Sequence, residues 1–175
     1  MNQDDEERGS AGINILWPSL DNEHYKEELE KAAAGESFNN ISPIIKYSVQ
    51  EGADVLWMGD LEKDLMEKIV NAVTFEKVSV LFAPHHGRDT GRVPNQWLNQ
   101  LKPSVIILGE APAEELHYYP GYNTISQNTA KDITLICVGD KVHFYVENPY
   151  YSVDFLSNYG RTATTDGSYL GTLDL

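Results

Sequence analysis

Cysteine is close to absent: the single thiol, Cys137, has no partner with which to close an internal disulfide. The fold must therefore be held by its core, and a reducing compartment, the cytoplasm, is the expected location. Basic side chains are also scarce. Thirteen Lys and Arg stand against 27 Asp and Glu, a net charge of −14, and the basic residues form no cluster. Nucleic-acid binders present a basic face that releases counterions from phosphates, so strong binding to DNA or RNA by this chain alone is not expected. Long apolar runs are missing too. Nothing approaches the roughly 18 uninterrupted apolar residues of a membrane span, so no membrane partner is expected. The start, Met1-Asn2-Gln3-Asp4-Asp5-Glu6-Glu7, is acidic and lacks the basic and apolar regions of a signal peptide.

What is present suits one domain with a real core: 175 residues, 41% of them hydrophobic. Residues 1–11 read as a solvated acidic tail. Ile13 to Trp17 is a short strand closed by Pro18, and Asp21 to Ala34 reads as a helix capped by Asp21 or Asn22 and stopped by Gly35. Ile41 to Val49 and Asp54 to Met58 form a hairpin around Glu51-Gly52, with Pro43 held to its margin. Leu61, Leu65, Met66, Ile69, Val70 and Val73 recur at helical spacing and predict a helix over 61–73. Val78 to Ala83 and Ser104 to Leu108 are the continuous apolar runs of strands covered on both faces, with a helix from about Pro94 to Leu101 between them. Pro112 to Thr124 looks irregular, Thr124 to Lys131 reads as a short helix, and Ile133 to Val138 with Val142 to Val146 as a hairpin around Gly139-Asp140. The stretch after Pro149 carries no readable pattern. The order is that of an α/β fold, a mixed β-sheet with flanking helices, over 12–148, followed by a C-terminal extension, 149–175.

Chemistry gathers in two loops that follow buried strands, the place where α/β sheets keep their ligand sites. Gly59-Asp60 follows Val55 to Met58, and Pro84-His85-His86-Gly87 follows Val80 to Ala83. If the strands are neighbours, a carboxylate and two imidazoles emerge at one rim, a sound donor set for zinc, manganese or iron. Each piece has a plainer reading: Asp60 as the N-cap of the helix at 61–73, bonding the N–H of Glu62 or Lys63, and His-His-Gly as a surface turn. Asn40 and Ser42 are candidates for supporting hydrogen bonds around the site. His24 and His143 read as a solvated helix residue and an edge-strand residue, and His117 lies in the irregular loop. Arg88 and Arg92 read as solvated loop residues that an anionic substrate would also suit.

The order Asn39-Asn40-Ile41-Ser42, hairpin, Trp57-Met58-Gly59-Asp60-Leu61-Glu62, then Phe82-Ala83-Pro84-His85-His86-Gly87 resembles the competence-type (ComEC-like) branch of the metallo-β-lactamase superfamily. The resemblance covers roughly Ile13 to Val146. It implies the second half of an αββα sandwich with a hydrolytic site for one or two ions, zinc or manganese, between its sheets. Asp60 would match the bridging aspartate, and either His85 or His86 the last histidine ligand; Asp60 and His86 are the candidate catalytic residues and Asp60, His85 and His86 the candidate metal ligands. The superfamily's main motif, His-x-(His/Asp)-x-Asp-His, occurs nowhere in the chain, and Arg88 stands where the family often has serine.

Two or three ligands fall short of a working catalytic site, which takes three protein ligands and an open position for water. The chain is therefore expected to be part of a metal-dependent hydrolase of phosphodiester, ester or amide bonds, completed by a missing N-terminal half or a partner protein. The alternative is an inactive interaction or scaffold module that binds a protein through its acidic surface, an exposed sheet face and the aromatic tail of Tyr150, Tyr151, Phe155, Tyr159 and Tyr169.

Overall fold

The computed structural model describes residues 11–175; the acidic tail expected at 1–11 lies, apart from Ala11, outside them. Local chemistry sets the elements. β1 (Ile13–Trp17) runs into Pro18, which cannot extend a ladder. α1 (Glu23–Ala33) starts where Asn22 Oδ1 accepts from the backbone N–H of His24 and Tyr25. β2 (Ile44–Ser48) begins just after Pro43 and turns into β3 (Asp54–Trp57). Then follow α2 (Lys63–Lys68), β4 (Val80–Phe82), α3 (Asn95–Leu101) and β5 (Val105–Leu108). β6 (Thr124–Ser126), α4 (Gln127–Ala130), β7 (Ile133–Val138), β8 (Lys141–Val146) and β9 (Ser168–Asp174) complete the described chain.

The strands make two sheets. Six lie in the order β1-β2-β3-β4-β5-β6, antiparallel at β1/β2 and β2/β3 and parallel from β3 to β6. Three lie antiparallel in the order β7-β8-β9. The large sheet buries both faces across most of its width. On one face Leu56, Leu81 and Ile106 meet Leu65, Met66, Trp97 and Leu98 of the helices. On the other Val55, Val80, Val105, Ile107 and Ile125 meet Val142, Phe144 and Val146 of the small sheet. Period-2 alternation thus serves two cores from each strand, which is why these segments read as unbroken apolar runs. Among the described residues no helix is long and apolar enough to cross a membrane.

Three departures from the expected elements have identifiable causes. The helix expected over 61–73 ends at Lys68. Beyond it the Ile69 carbonyl accepts from Ala72 and the Val70 carbonyl from the Trp97 indole, so a turn replaces the helix while Ile69 and Val73 stay buried. The helix expected over 124–131 is divided: Thr124–Ser126 is paired to β5 as β6, and Ser126 Oγ then caps Asn128 N–H. The segment 149–175 is built into the fold. Tyr151, Val153, Phe155 and Leu156 pack on the second core, and β9 closes the small sheet along β8. Tyr169 is likewise occupied, its hydroxyl bonding the Ser157 carbonyl and Thr172, so of the aromatic tail only Tyr150 and Tyr159 remain exposed.

Phe144 lies on the central strand of the small sheet with no exposed surface. Phe144→Ala is expected to cost about 3–5 kcal/mol, read as a lower urea midpoint by circular dichroism at unchanged m-value. Truncation after Glu147 removes β9 and should abolish the cooperative transition; a truncated chain unfolding at the wild-type midpoint would refute the place given to β9.

Candidate functional site

Parallel pairing puts three strand ends side by side. Trp57, Phe82 and Ile107 are in register, so the loops leaving β3, β4 and β5 share one rim of the sheet. A cavity of about 180 Å³ opens there, lined by residues of all three loops: Asp60 after β3, His86 after β4 and Gly109 after β5, with Trp57, Phe82 and Gln127 among its other walls.

Asp60 is held through its backbone. Its N–H donates to Ser42 Oγ at 3.1 Å, and Glu62 N–H donates to Asn40 Oδ1 at 3.0 Å. Asn39 Nδ2 reaches Glu62 Oε1 at 3.0 Å, so the Asn-Asn-x-Ser stretch hooks the Gly-Asp-Leu-Glu loop at three points. Gly59 admits this approach: its φ is 54°, and a Cβ there would meet the Ser42 side chain at 2.7 Å. The N-cap reading of Asp60 fails here. The residue flanking α2 is Glu62, without a side-chain cap bond, and Asn40 takes the N–H that Asp60 would have capped. The Asp60 carboxylate carries no hydrogen bond or ion pair among the described residues.

The histidine pair stands on strained backbone. His85 (φ 47, ψ 45) and His86 (φ 63, ψ 6) are both left-handed, and Gly87 follows at φ 87. Such positions cost about 1–3 kcal/mol each for non-glycine residues and persist only where the surroundings over-determine them. The neighbouring loops do so: His85 N–H donates to the Gly59 carbonyl at 3.0 Å, and Gly109 N–H donates to the His86 carbonyl at 3.1 Å. Gly109 is small by necessity, since a Cβ there would lie 2.7 Å from His86 Nδ1.

The three candidate ligands are not gathered at one point. Asp60 and His86 share the cavity, whereas His85 is engaged elsewhere, its Nδ1 3.0 Å from Thr90 Oγ1. Among the described residues no group of three or more His, Cys, Asp and Glu is arranged to hold a metal ion. The donors present do not fit a complete metal site, which takes three protein ligands. The remaining histidines lie apart. His24 faces Glu27 on α1, and His117 stacks on Tyr118. His143 is not at a sheet edge: it is buried on β8, the middle strand of the small sheet. Burial first, then the charges of Arg161 and Lys141, lower its pKa. A neutral His143 accepts at Nε2 from Arg161 Nη1 at 3.2 Å, leaving Nδ1–H to donate to Thr172 Oγ1 at 2.7 Å. Arg92 lines a separate recess with Lys63 and Glu67, and the Arg88 Nε is buried without a partner.

Sequence reasoning missed Trp57, Phe82, Gly109 and Gln127 as cavity residues. The first two belong to apolar strand runs, and nothing local to Gly109 or Gln127 marks them; only the register of β4, β5 and β6 brings them in. No protein-family model matches the chain, and no curated protein matches it.

Behind the hooks lies Glu28, buried at 5% exposure and bonded by Lys31 Nζ at 2.7 Å and Asn40 Nδ2 at 3.1 Å. Burial raises the Glu28 carboxyl, but the bonds from Lys31 and Asn40 together outweigh it and hold its pKa below the usual glutamate range. A folded-state value below the unfolded one stabilises fully above the unfolded pKa and is lost as pH falls through the folded value. Asn40→Ala is expected to cost about 1–3 kcal/mol at neutral pH by removing one of the two hydrogen bonds to Glu28 and leaving the Glu62 N–H unpaired. It should also flatten the fall of stability as pH drops below the ordinary glutamate value of 4.5, because the gap between the two pKa values narrows. Urea midpoints measured at neutral pH and at falling acid pH check both; a variant with the wild-type slope would remove Asn40 from the charge balance of Glu28.

Proposed function

We propose that this chain is one part of a metal-dependent hydrolase, contributing Asp60 and His86 to a zinc or manganese site that another stretch of polypeptide completes. The observation that carries the reading is the strained His85-His86 turn, clamped from both sides so that His86 and an Asp60 whose carboxylate has no partner among the described residues line one cavity at the ends of parallel strands. Strain of this kind is kept where a side chain must be aimed, and a structural turn would relax it with glycine or asparagine. The hooks from Asn39, Asn40 and Ser42 support the resemblance to the competence-type metallo-β-lactamases, since they join the two motifs on which it rests. On this reading the architecture is the second half of an αββα sandwich and the chain works in the cytoplasm. The reaction class is hydrolysis of a phosphodiester, ester or amide bond. A bound ion would supply an acidified water, but two donors do not assign its position, and no step is derived through it.

An exposed strip of sheet supports the need for a partner. On the face that meets the small sheet elsewhere, Ile13 and Ile15 of β1 are 47% and 50% exposed, and Tyr47 of β2 is 37% exposed. Contiguous apolar surface on one side of a sheet marks an interaction site. It serves the second reading equally, a scaffold that has lost the chemistry, which the incomplete ligand set favours.

Metal content separates the two. The native assembly purified with its partner is expected to carry zinc or manganese, with Asp60→Ala and His86→Ala each lowering occupancy by about tenfold or more, while His85→Ala retains most of it. Elemental analysis showing no metal in the wild-type assembly would leave the scaffold reading.

A further inference from the structure

The cavity holds a second kind of chemistry besides its two donor side chains. The rings of Trp57 and Phe82 stack nearly parallel, with centroids 4.9 Å apart at 14°, and both line it. Met58 and Ile107 add apolar wall. Gln127, the first residue of α4, lines the same space, and its carboxamide makes no hydrogen bond among the described residues.

Trp57 and Phe82 occupy each other's facing sides, so a further flat ring would extend their stack at an outer face, where stacking rewards planarity and is indifferent to ring identity. A free carboxamide presents a donor and an acceptor side by side, the complement of an edge that carries an adjacent N–H and C=O. The Asp60 carboxylate and the net charge of −14 oppose an anionic group at this wall. A space of about 180 Å³ has room for a small ring.

We propose that the Trp57–Phe82 wall and the Gln127 carboxamide form a specificity subsite for a neutral, planar heteroaromatic ring with a lactam-type edge. It rests on reading this cavity as the functional site, and it requires no metal.

The three tryptophans make the test selective. Trp17 and Trp97 are buried at 1% and 0%, whereas Trp57 is 37% exposed, so quenching by an added ring reports Trp57. The probes are uracil, dihydrouracil, which keeps the edge but loses the aromatic plane, and 1,3-dimethyluracil, which keeps the ring but loses the N–H. Uracil is expected to quench the intact chain saturably, with dihydrouracil and dimethyluracil each binding about tenfold more weakly. Gln127→Ala should reduce uracil to the level of dimethyluracil without changing the response to dimethyluracil. For Trp57→Leu, ligand-observed saturation-transfer NMR replaces fluorescence and should show uracil binding lost in a chain whose circular dichroism is unchanged. No saturable quenching, or equal binding of the three probes, overturns the subsite. Absent ring binding in a protein whose assembly holds metal overturns the subsite alone, and intact ring binding in an assembly without metal overturns the hydrolase reading alone.

Discussion

Parallel registration of β3, β4 and β5 is the constraint on which the rest of the site depends. Val55, Val80 and Val105 lie abreast, as do Trp57, Phe82 and Ile107, so every residue beyond them is delivered to the same rim. A slip of one residue in β4 would exchange Leu81 for its neighbours across the sheet and carry the histidine turn with it. Leu56, Leu81 and Ile106 have no exposed surface on the helical side, while Val80, Val105 and Ile107 are buried on the other, so such a slip is penalised in two cores at once. Positional precision at the rim is therefore a consequence of burial far from it.

That precision has a local cost. Two consecutive non-glycine residues in left-handed backbone forfeit a few kcal/mol, a sizeable share of the stability of a small domain. The cost is met by bonds that also tie the three loops together, from His85 to Gly59 and from Gly109 to His86. The Asn39, Asn40 and Ser42 hooks then fix the Asp60 loop against α1 through buried Glu28. A chain of hydrogen bonds thus runs from a core carboxylate to the cavity, and it orients Asp60 without engaging its side chain. Binding surfaces need this arrangement: rigid backbone beneath, unspent side-chain donors and acceptors above.

How far the sequence revealed this follows from the range of each signal. The strands were legible because both their faces are buried, and the apolar runs at 80–82 and 105–108 admit little else. Asp60 and the histidine pair were legible because they follow such strands directly. Which of His85 and His86 faces the cavity was not, since it turns on a Thr90 hydroxyl and a positive φ at each residue, neither of which has a periodicity to read. The pattern of β9 is hard to read because its partner, β8, lies across the long segment 147–167, and Gly171 with Thr172 dilutes its alternation. His143 was misplaced for the same reason: without β9 its strand looks like an edge. The cavity walls at Gly109 and Gln127 are products of tertiary register alone.

Two features of the described residues lie close together. Among the described residues the rim offers no third donor beside Asp60 and His86, and the apolar face next to it, on β1 and β2, is uncovered. These are independent observations, one about donor chemistry and one about surface, yet β2 pairs directly with β3, whose end carries Asp60, and Ile45 lies abreast of Trp57. A layer of polypeptide laid over Ile13, Ile15 and Tyr47 would reach the cavity mouth at Trp57. One added layer could thus bury the exposed strip and bring further ligands within reach of Asp60 and His86, whereas a partner bound through the acidic exterior would do neither. The position of the uncovered face, more than its size, is what ties the hydrolase reading to a partner.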